Sequence, residues 1–162
     1  MTETLGREAW CPEDATRDFE RVAQLTGVPL APDTITIERL PAPHRPPSRL
    51  PGGKMAVYVL TYAGDTLKIG KAGANSQPRY TSQHYNPGSA QSTLAASILG
   101  DRARYALETA KETDVGTWIK ANVDRVNLLM DERAGIPVLT LLETFLQCRL
   151  RPRYEGFKSQ RL

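Results

Sequence analysis

The sequence predicts an α/β fold of the α+β kind, in which a small antiparallel sheet is flanked by helices. β-branched and aromatic residues run on both sides of Ala-Gly-Asp at positions 63–65, which is typical of a β-hairpin. The stretch RVNLLMDE, residues 125–132, alternates apolar and polar residues as a third strand does. The stretch GIPVLTLLETFLQCRL, residues 135–150, has a helical apolar period and an early proline.

Residues 1–40 are expected to form an N-terminal helix and strand element of unknown role. Pro12 suits the first turn of a helix that ends at Gly27, and TITIER, residues 34–39, alternates as a short strand does. The next segment, residues 41–53, holds five prolines, which exclude a helix or a central strand. We therefore predict a Pro-rich linker at 41–53 and the main domain at 54–162.

The hairpin pattern predicts which side chains share a face of the sheet. With residues 63–65 as the loop, Tyr58 lies opposite Gly70 and Leu60 lies opposite Lys68. Opposed residues point to the same face, so Tyr58 and Lys68 should lie on one side of the hairpin. The other side is expected to be aliphatic core and consists of Val57, Val59, Leu67 and Ile69.

Helices are expected to follow the hairpin. NSQPRYTSQHY, residues 75–85, predicts a helix that carries Arg79, Gln83 and His84. The stretches STLAASIL, RARYALETA and GTWIKA are also predicted to be helical. In the last helix the predicted buried stripe consists of Val138, Leu141, Leu142, Phe145 and Leu146, and Glu143 lies on another face.

Composition is that of an ordinary globular protein. The chain has 162 residues, of which 40% are hydrophobic and 24% charged, enough for one domain with a real core. No run of membrane-spanning length and no signal-peptide pattern is present, so we expect a cytoplasmic protein with no membrane partner. Cys11, Cys148, His44 and His84 lack metal-ligand spacing, which argues against zinc and favours reduced thiols.

The charge distribution indicates a polyanionic partner. The net charge is only +3, but the end of the chain gathers basic residues against a single acidic residue, Glu155. We predict that these residues contact nucleic-acid phosphates, and the alternative is a merely solvated tail. They are Arg149, Arg151, Arg153, Lys158 and Arg161.

Five motifs stand in a suggestive order along the chain: AVY (residues 56–58), KIG (68–70), Arg79, Glu143 and LRPRYEG (150–156). This arrangement resembles the GIY-YIG nuclease family, with KIG as a variant of the second motif. The resemblance covers residues 53–156, which is 104 of 162 residues. It implies a three-stranded antiparallel sheet flanked by helices, and divalent-metal-dependent hydrolysis of a DNA phosphodiester.

The resemblance also implies a role for each motif residue. Glu143 would bind Mg²⁺ (or Mn²⁺), and Tyr58 would be the general base for the attacking water. A tyrosine has an ordinary pKa of about 10, so cationic neighbours are expected to lower the pKa of Tyr58. Lys68 or Lys71 would supply that charge, as would Arg79, which would also clamp the phosphate. His84 and Gln83 are further candidates for contacts in the site.

The sequence departs from the family pattern at four positions, which keeps other functions open. Ala56 replaces the first Gly, Lys68 replaces the usual Tyr, Gln83 stands where Tyr or His is common, and Glu155 replaces an Asn. One alternative is a catalytically inactive module on the same fold that binds nucleic acid. Another is an interaction protein that docks through residues 1–40.

Overall fold

Five α-helices and four β-strands lie in residues 10–154, the part of the chain that the computed structural model describes. The helices are α1 (Pro12–Leu25), α2 (Gln77–Thr81), α3 (Leu94–Leu99), α4 (Glu112–Asn122) and α5 (Ile136–Leu150). The strands are β1 (Thr36–Leu40), β2 (Lys54–Tyr62), β3 (Asp65–Ala72) and β4 (Asp124–Asp131). Within this range no helix is both long enough and apolar enough to cross a membrane.

The strands form one antiparallel sheet in the order β1-β4-β2-β3. The predicted α+β class is confirmed, but the expectation of three strands was wrong. The fourth strand is β1, which pairs with β4 from Thr36 opposite Leu129 to Leu40 opposite Arg125. The strand itself was predicted, but its partner lies far along the chain, and alternation within a strand does not reveal its partner.

The centre of the β2–β3 hairpin has the predicted register, with Tyr58 opposite Gly70 and Leu60 opposite Lys68. Its loop is two residues rather than three. Ala63 and Gly64 have φ of 50° and 82°, the left-handed conformation that two-residue hairpin loops require. A register shift after Leu60 restores the predicted pairs and leaves Leu67 as an extra residue of β3.

Both faces of the sheet are covered. On one face α1 and α5 pack on an aliphatic core that includes Val57, Val59 and Ile69, as predicted. On the other face α3 and α4 cover a second core, which contains Tyr58 and, because of the bulge, Leu67. Tyr58 is therefore an interior residue, and its hydroxyl has to find a partner within the protein.

Two predicted helices are much shorter in the structure. The helix expected over 75–85 ends at Thr81, and a 3-10 turn, Gln83–Tyr85, follows it. This change of direction buries His84 and Tyr85 against the second core. RARYALETA forms only the 3-10 turn Arg102–Tyr105, which turns the Tyr105 ring onto Tyr62 and Trp118.

The last helix follows the sequence closely. In α5, Val138, Leu142 and Leu146 are buried, and Leu141 and Phe145 pack partly buried against the same core. Phe145 also meets Phe19 of α1, with ring centroids 5.7 Å apart. The N-terminal helix is thus part of the main core.

We expect Phe19→Ala to lower the free energy of unfolding by about 3–5 kcal/mol, because it leaves a cavity between α1 and α5. Urea denaturation followed by circular dichroism measures this. Leu25→Ala is the matched control on the same helix, since Leu25 is 88% exposed and should change stability by less than about 0.5 kcal/mol. Equal effects of the two substitutions would contradict the packing of α1 on the core.

Candidate active site

Tyr58 lies in the middle of the sheet, with its ring across Gly70 of β3. A Cβ at position 70 would sit 2.3 Å from the Tyr58 Oη and 2.6 Å from its Cζ, so no side chain fits there. The glycine of the KIG motif therefore provides the space that the tyrosine of the AVY motif fills. Because β3 is an edge strand, the phenol oxygen is brought towards the edge of the sheet.

His84 contacts the phenol directly. Its Nε2 lies 2.6 Å from the Tyr58 Oη, and its Nδ1 accepts a hydrogen bond of 3.2 Å from the Leu94 backbone N–H. A backbone N–H can only donate, so a neutral His84 carries its proton on Nε2 and donates it to Tyr58. Burial, with the nearby charges of Lys68 and Arg125, lowers the pKa of His84 well below its ordinary value and keeps it neutral.

The pKa of Tyr58 is raised above its ordinary value, mainly because the phenol is buried. The charges of Arg79 and Arg125 act in the opposite direction, while that of Glu143 raises it further. The predicted net lowering was therefore wrong. The prediction counted the cations but not the second core, which withdraws the phenol from water and disfavours the phenolate.

Lys68 is buried on the Tyr58 face, with only 3% of its surface exposed. Its Nζ donates a hydrogen bond of 2.9 Å to Ser92 Oγ and lies 3.5 Å from the Tyr154 carbonyl oxygen. The Tyr154 N–H in turn donates to the Leu67 carbonyl at 2.8 Å, so the chain beyond α5 runs along β3. Lys68 lowers the pKa of His84, whereas Arg79 and Arg125 are the cations that lower the pKa of Tyr58.

Glu143 and Lys71 form an ion pair between α5 and β3. Lys71 immediately follows Gly70 but points to the opposite face of the sheet, together with its partner Val57. The Glu143 side chain is 14% exposed and that of Lys71 is 33% exposed. Arg79, half-buried in α2, completes a group of charged side chains around the β3 edge beside the phenol.

The carboxylate of Glu143 is the donor available for the predicted metal. Among the described residues no group of three or more His, Cys, Asp and Glu side chains is arranged to hold an ion. A site with one carboxylate fits Mg²⁺ or Mn²⁺ when water and phosphate oxygens supply the remaining ligands. Glu143 meets that requirement because it is partly exposed, and Lys71 engages one of its two oxygens.

Arg125 is a central residue of this region that the sequence analysis did not single out. It is 1% exposed, and its guanidinium donates to Asn127 Oδ1 at 2.8 Å, to Tyr85 Oη at 3.2 Å and to the Tyr80 carbonyl at 2.6 Å. All three acceptors are neutral, and the Arg125 Cζ lies 5.2 Å from the centre of the Tyr58 ring.

The Glu38 carboxylate is linked to this cation through Asn127 and Tyr80, both of which also accept from Arg125. Asn127 Nδ2 donates to Glu38 Oε2 at 2.7 Å, and the Tyr80 hydroxyl donates to the same oxygen at 2.8 Å. Glu38, Asn127, Tyr58 and Gly70 form one row across the four strands. Arg125 and Asn127 are the polar residues in the interior of β4, whose other interior residues are apolar, and that was the signal available in the sequence.

The remaining predicted residues lie elsewhere in the structure or outside the described range. Gln83 lies half-buried in the 3-10 turn beside His84. Arg149 pairs with Asp18 of α1, and Arg153 pairs with Asp65 at 3.2 Å, whereas Arg151 is exposed. Lys158, Arg161 and Glu155 lie outside the described residues.

Stability should depend on pH through the two histidines. Burial lowers the pKa of both His44 and His84, and the chain contains no other histidine. The unfolded chain therefore binds protons below about pH 6.5 that the folded protein does not. Stability is full above that pH and is lost as pH falls, by up to about 1.4 kcal/mol per pH unit for each histidine.

Urea denaturation between pH 7.5 and 5.5 measures this slope above the range in which carboxyl groups ordinarily titrate. His84→Gln keeps an N–H that can donate to Tyr58 and should remove at least half of the slope, since the pKa of His84 is lowered further than that of His44. A wild-type stability that stays flat across this range would show that the histidines are not buried in the neutral form.

A scan against protein-family models gave no match to this chain. Searches of curated proteins and of solved structures likewise found no significant match. The family resemblance therefore rests on the sequence motifs alone.

Proposed function

We propose that this protein is a metal-dependent endonuclease that hydrolyses DNA phosphodiester bonds in the manner of the GIY-YIG family. The proposal rests on a group of residues near one edge of the sheet. His84 is hydrogen-bonded to Tyr58, Arg79 acts on the phenol, and Lys71 pairs with Glu143. These residues come from β2, β3, α2, the following 3-10 turn and α5. They combine a proton acceptor, cations for a phosphate and one carboxylate for a metal.

Tyr58 takes the proton of the attacking water in this proposal, which requires that DNA binding opens the buried phenol to that water. Because His84 donates its Nε2 proton to the phenol oxygen, it favours the phenolate, as does the charge of Arg79. His84 is a hydrogen-bond donor here and not a second base, since Leu94 occupies its other nitrogen. Burial keeps the pKa of Tyr58 high, so the active fraction grows as pH rises.

Arg79 and Lys71 are the residues proposed to contact the scissile phosphate. Both are partly exposed and flank the edge of β3 towards which the phenol is directed. A guanidinium can bind two phosphate oxygens at once and stabilise the charge that builds up in the transition state. Lys68 is buried, and its charge helps to lower the pKa of His84 instead.

Glu143 is proposed to hold the metal, which when bound would polarise the phosphate and stabilise the leaving oxygen. The chain's own contribution is to fix the carboxylate on a helix that packs on the central strands through Leu142 and Leu146. Residues beyond α5 that carry basic side chains would extend the DNA contact.

A non-cleaving module that binds nucleic acid is the second candidate. The observation that favours it is the raised pKa of Tyr58, which leaves the phenol protonated at neutral pH. Such a module would keep Arg79 and Lys71 as phosphate ligands. It would bind DNA with the same salt dependence but would not nick it.

Glu143→Gln should abolish nicking of supercoiled plasmid in Mg²⁺ or Mn²⁺, because it removes the charge that holds the metal while keeping the size of the side chain. Agarose-gel conversion of supercoiled to open-circle DNA measures this. Glu132→Gln is the control, because Glu132 is an exposed carboxylate in the turn before α5 and should nick normally. Undiminished nicking by Glu143→Gln would exclude Glu143 as the metal ligand.

Tyr58→Phe should lower turnover by about 10²–10⁴-fold while leaving DNA affinity unchanged, as expected for loss of a general base. Tyr62→Phe on the same strand is the matched control and should retain full activity. In the wild type, the nicking rate should rise with pH beyond the ordinary tyrosine range, because burial raises the pKa of Tyr58. A Tyr58→Phe protein as active as the control would rule out the phenol as base.

A further inference from the structure

The Lys71–Glu143 ion pair lies on the face of the sheet opposite to the Tyr58 ring, and the charge of Glu143 acts on the phenol. Lys71 follows Gly70, the residue over which the phenol lies, and its Nζ donates to Glu143 Oε2. The pair joins the edge strand of the sheet to α5. With 14% of its side chain exposed, Glu143 is largely withdrawn from water and depends on this partner for charge compensation.

The same carboxylate is the protein ligand proposed for the divalent metal. A metal ion and an ammonium group cannot both contact one carboxylate without strong repulsion, since both are cations at short distance. Bidentate binding would require Oε2, the oxygen that Lys71 engages. Binding through Oε1 alone would still place the metal beside the ammonium.

We propose that Lys71 holds the place of the metal on Glu143 in the metal-free protein and is displaced when the metal binds. This inference rests on the proposed function, because it takes Glu143 as the metal ligand. Lys71 can move, because 33% of its side chain is exposed and its ammonium lies at the end of a flexible four-carbon chain. The displaced ammonium reaches the scissile phosphate, which gives it a new anionic partner.

Metal binding and DNA binding are then coupled. Without DNA, metal binding would break the ion pair, and water would then be the partner of the Lys71 ammonium. With DNA, the phosphate replaces Glu143 as the partner of Lys71 and also supplies oxygen ligands to the metal. Each ligand therefore tightens the binding of the other, which by linkage holds in both directions.

The test is Mn²⁺ binding to the full-length, metal-free protein at constant ionic strength, measured by the loss of the free-ion signal in electron paramagnetic resonance. Lys71→Met keeps the length of the side chain and removes its charge, so it should bind Mn²⁺ about fivefold more tightly, or about 1 kcal/mol. Lys120→Met removes one exposed positive charge on α4 and controls for the change in net charge. Glu143→Gln should lose the site.

A Mn²⁺ affinity in Lys71→Met equal to or weaker than that in Lys120→Met overturns the inference. If Glu143→Gln still weakens Mn²⁺ binding in that case, the proposed metal site stands and only the competition is wrong. If Glu143→Gln binds Mn²⁺ like the wild type, or the wild type binds none, the metal role of Glu143 and the inference both fail. Circular dichroism and urea midpoints establish that the variants are folded, and Lys71→Gln provides a second neutral variant if Lys71→Met is not.

Discussion

The packing of the Tyr58 ring across Gly70 is the constraint on which the rest of the site depends. A phenol in the interior of the sheet has no access to water, so its hydroxyl needs a protein partner. His84 is that partner, and Leu94 fixes which of its nitrogens carries the proton. One hydroxyl group therefore links three parts of the fold. They are the 3-10 turn after α2, the glycine in β3 and the start of α3.

A second consequence is electrostatic. Lys68 and Arg125 are buried near the phenol and the imidazole, and the contacts of Arg125 are to neutral acceptors. Burying such a charge is costly unless hydrogen bonds compensate it, and Arg125 makes three. An arginine without a carboxylate in contact retains its field, which opposes the effect of burial on the pKa of Tyr58.

The N-terminal segment is built into this arrangement. Strand β1 extends the sheet beyond β4, and Glu38 reaches the row of Asn127 and Tyr58 on the shared face. Helix α1 covers the opposite face with Phe19. The region of the family resemblance begins only at residue 53, so the connection of Glu38 to Asn127 is a feature of this chain beyond the motifs.

Local sequence patterns were enough to predict the centre of the hairpin, the last helix and the candidate residues. Alternation placed Tyr58 and Lys68 on one face of the hairpin, and the helical period fixed α5, because both patterns are local properties of the chain. The partner of β1, the burial of the Tyr58 face and the network of Arg125, Asn127 and Glu38 became apparent from the folded chain. These depend on contacts between segments far apart in the chain. The pKa of Tyr58 was mispredicted for the same reason: charges are visible in a sequence, whereas the water excluded by α3 and α4 is not.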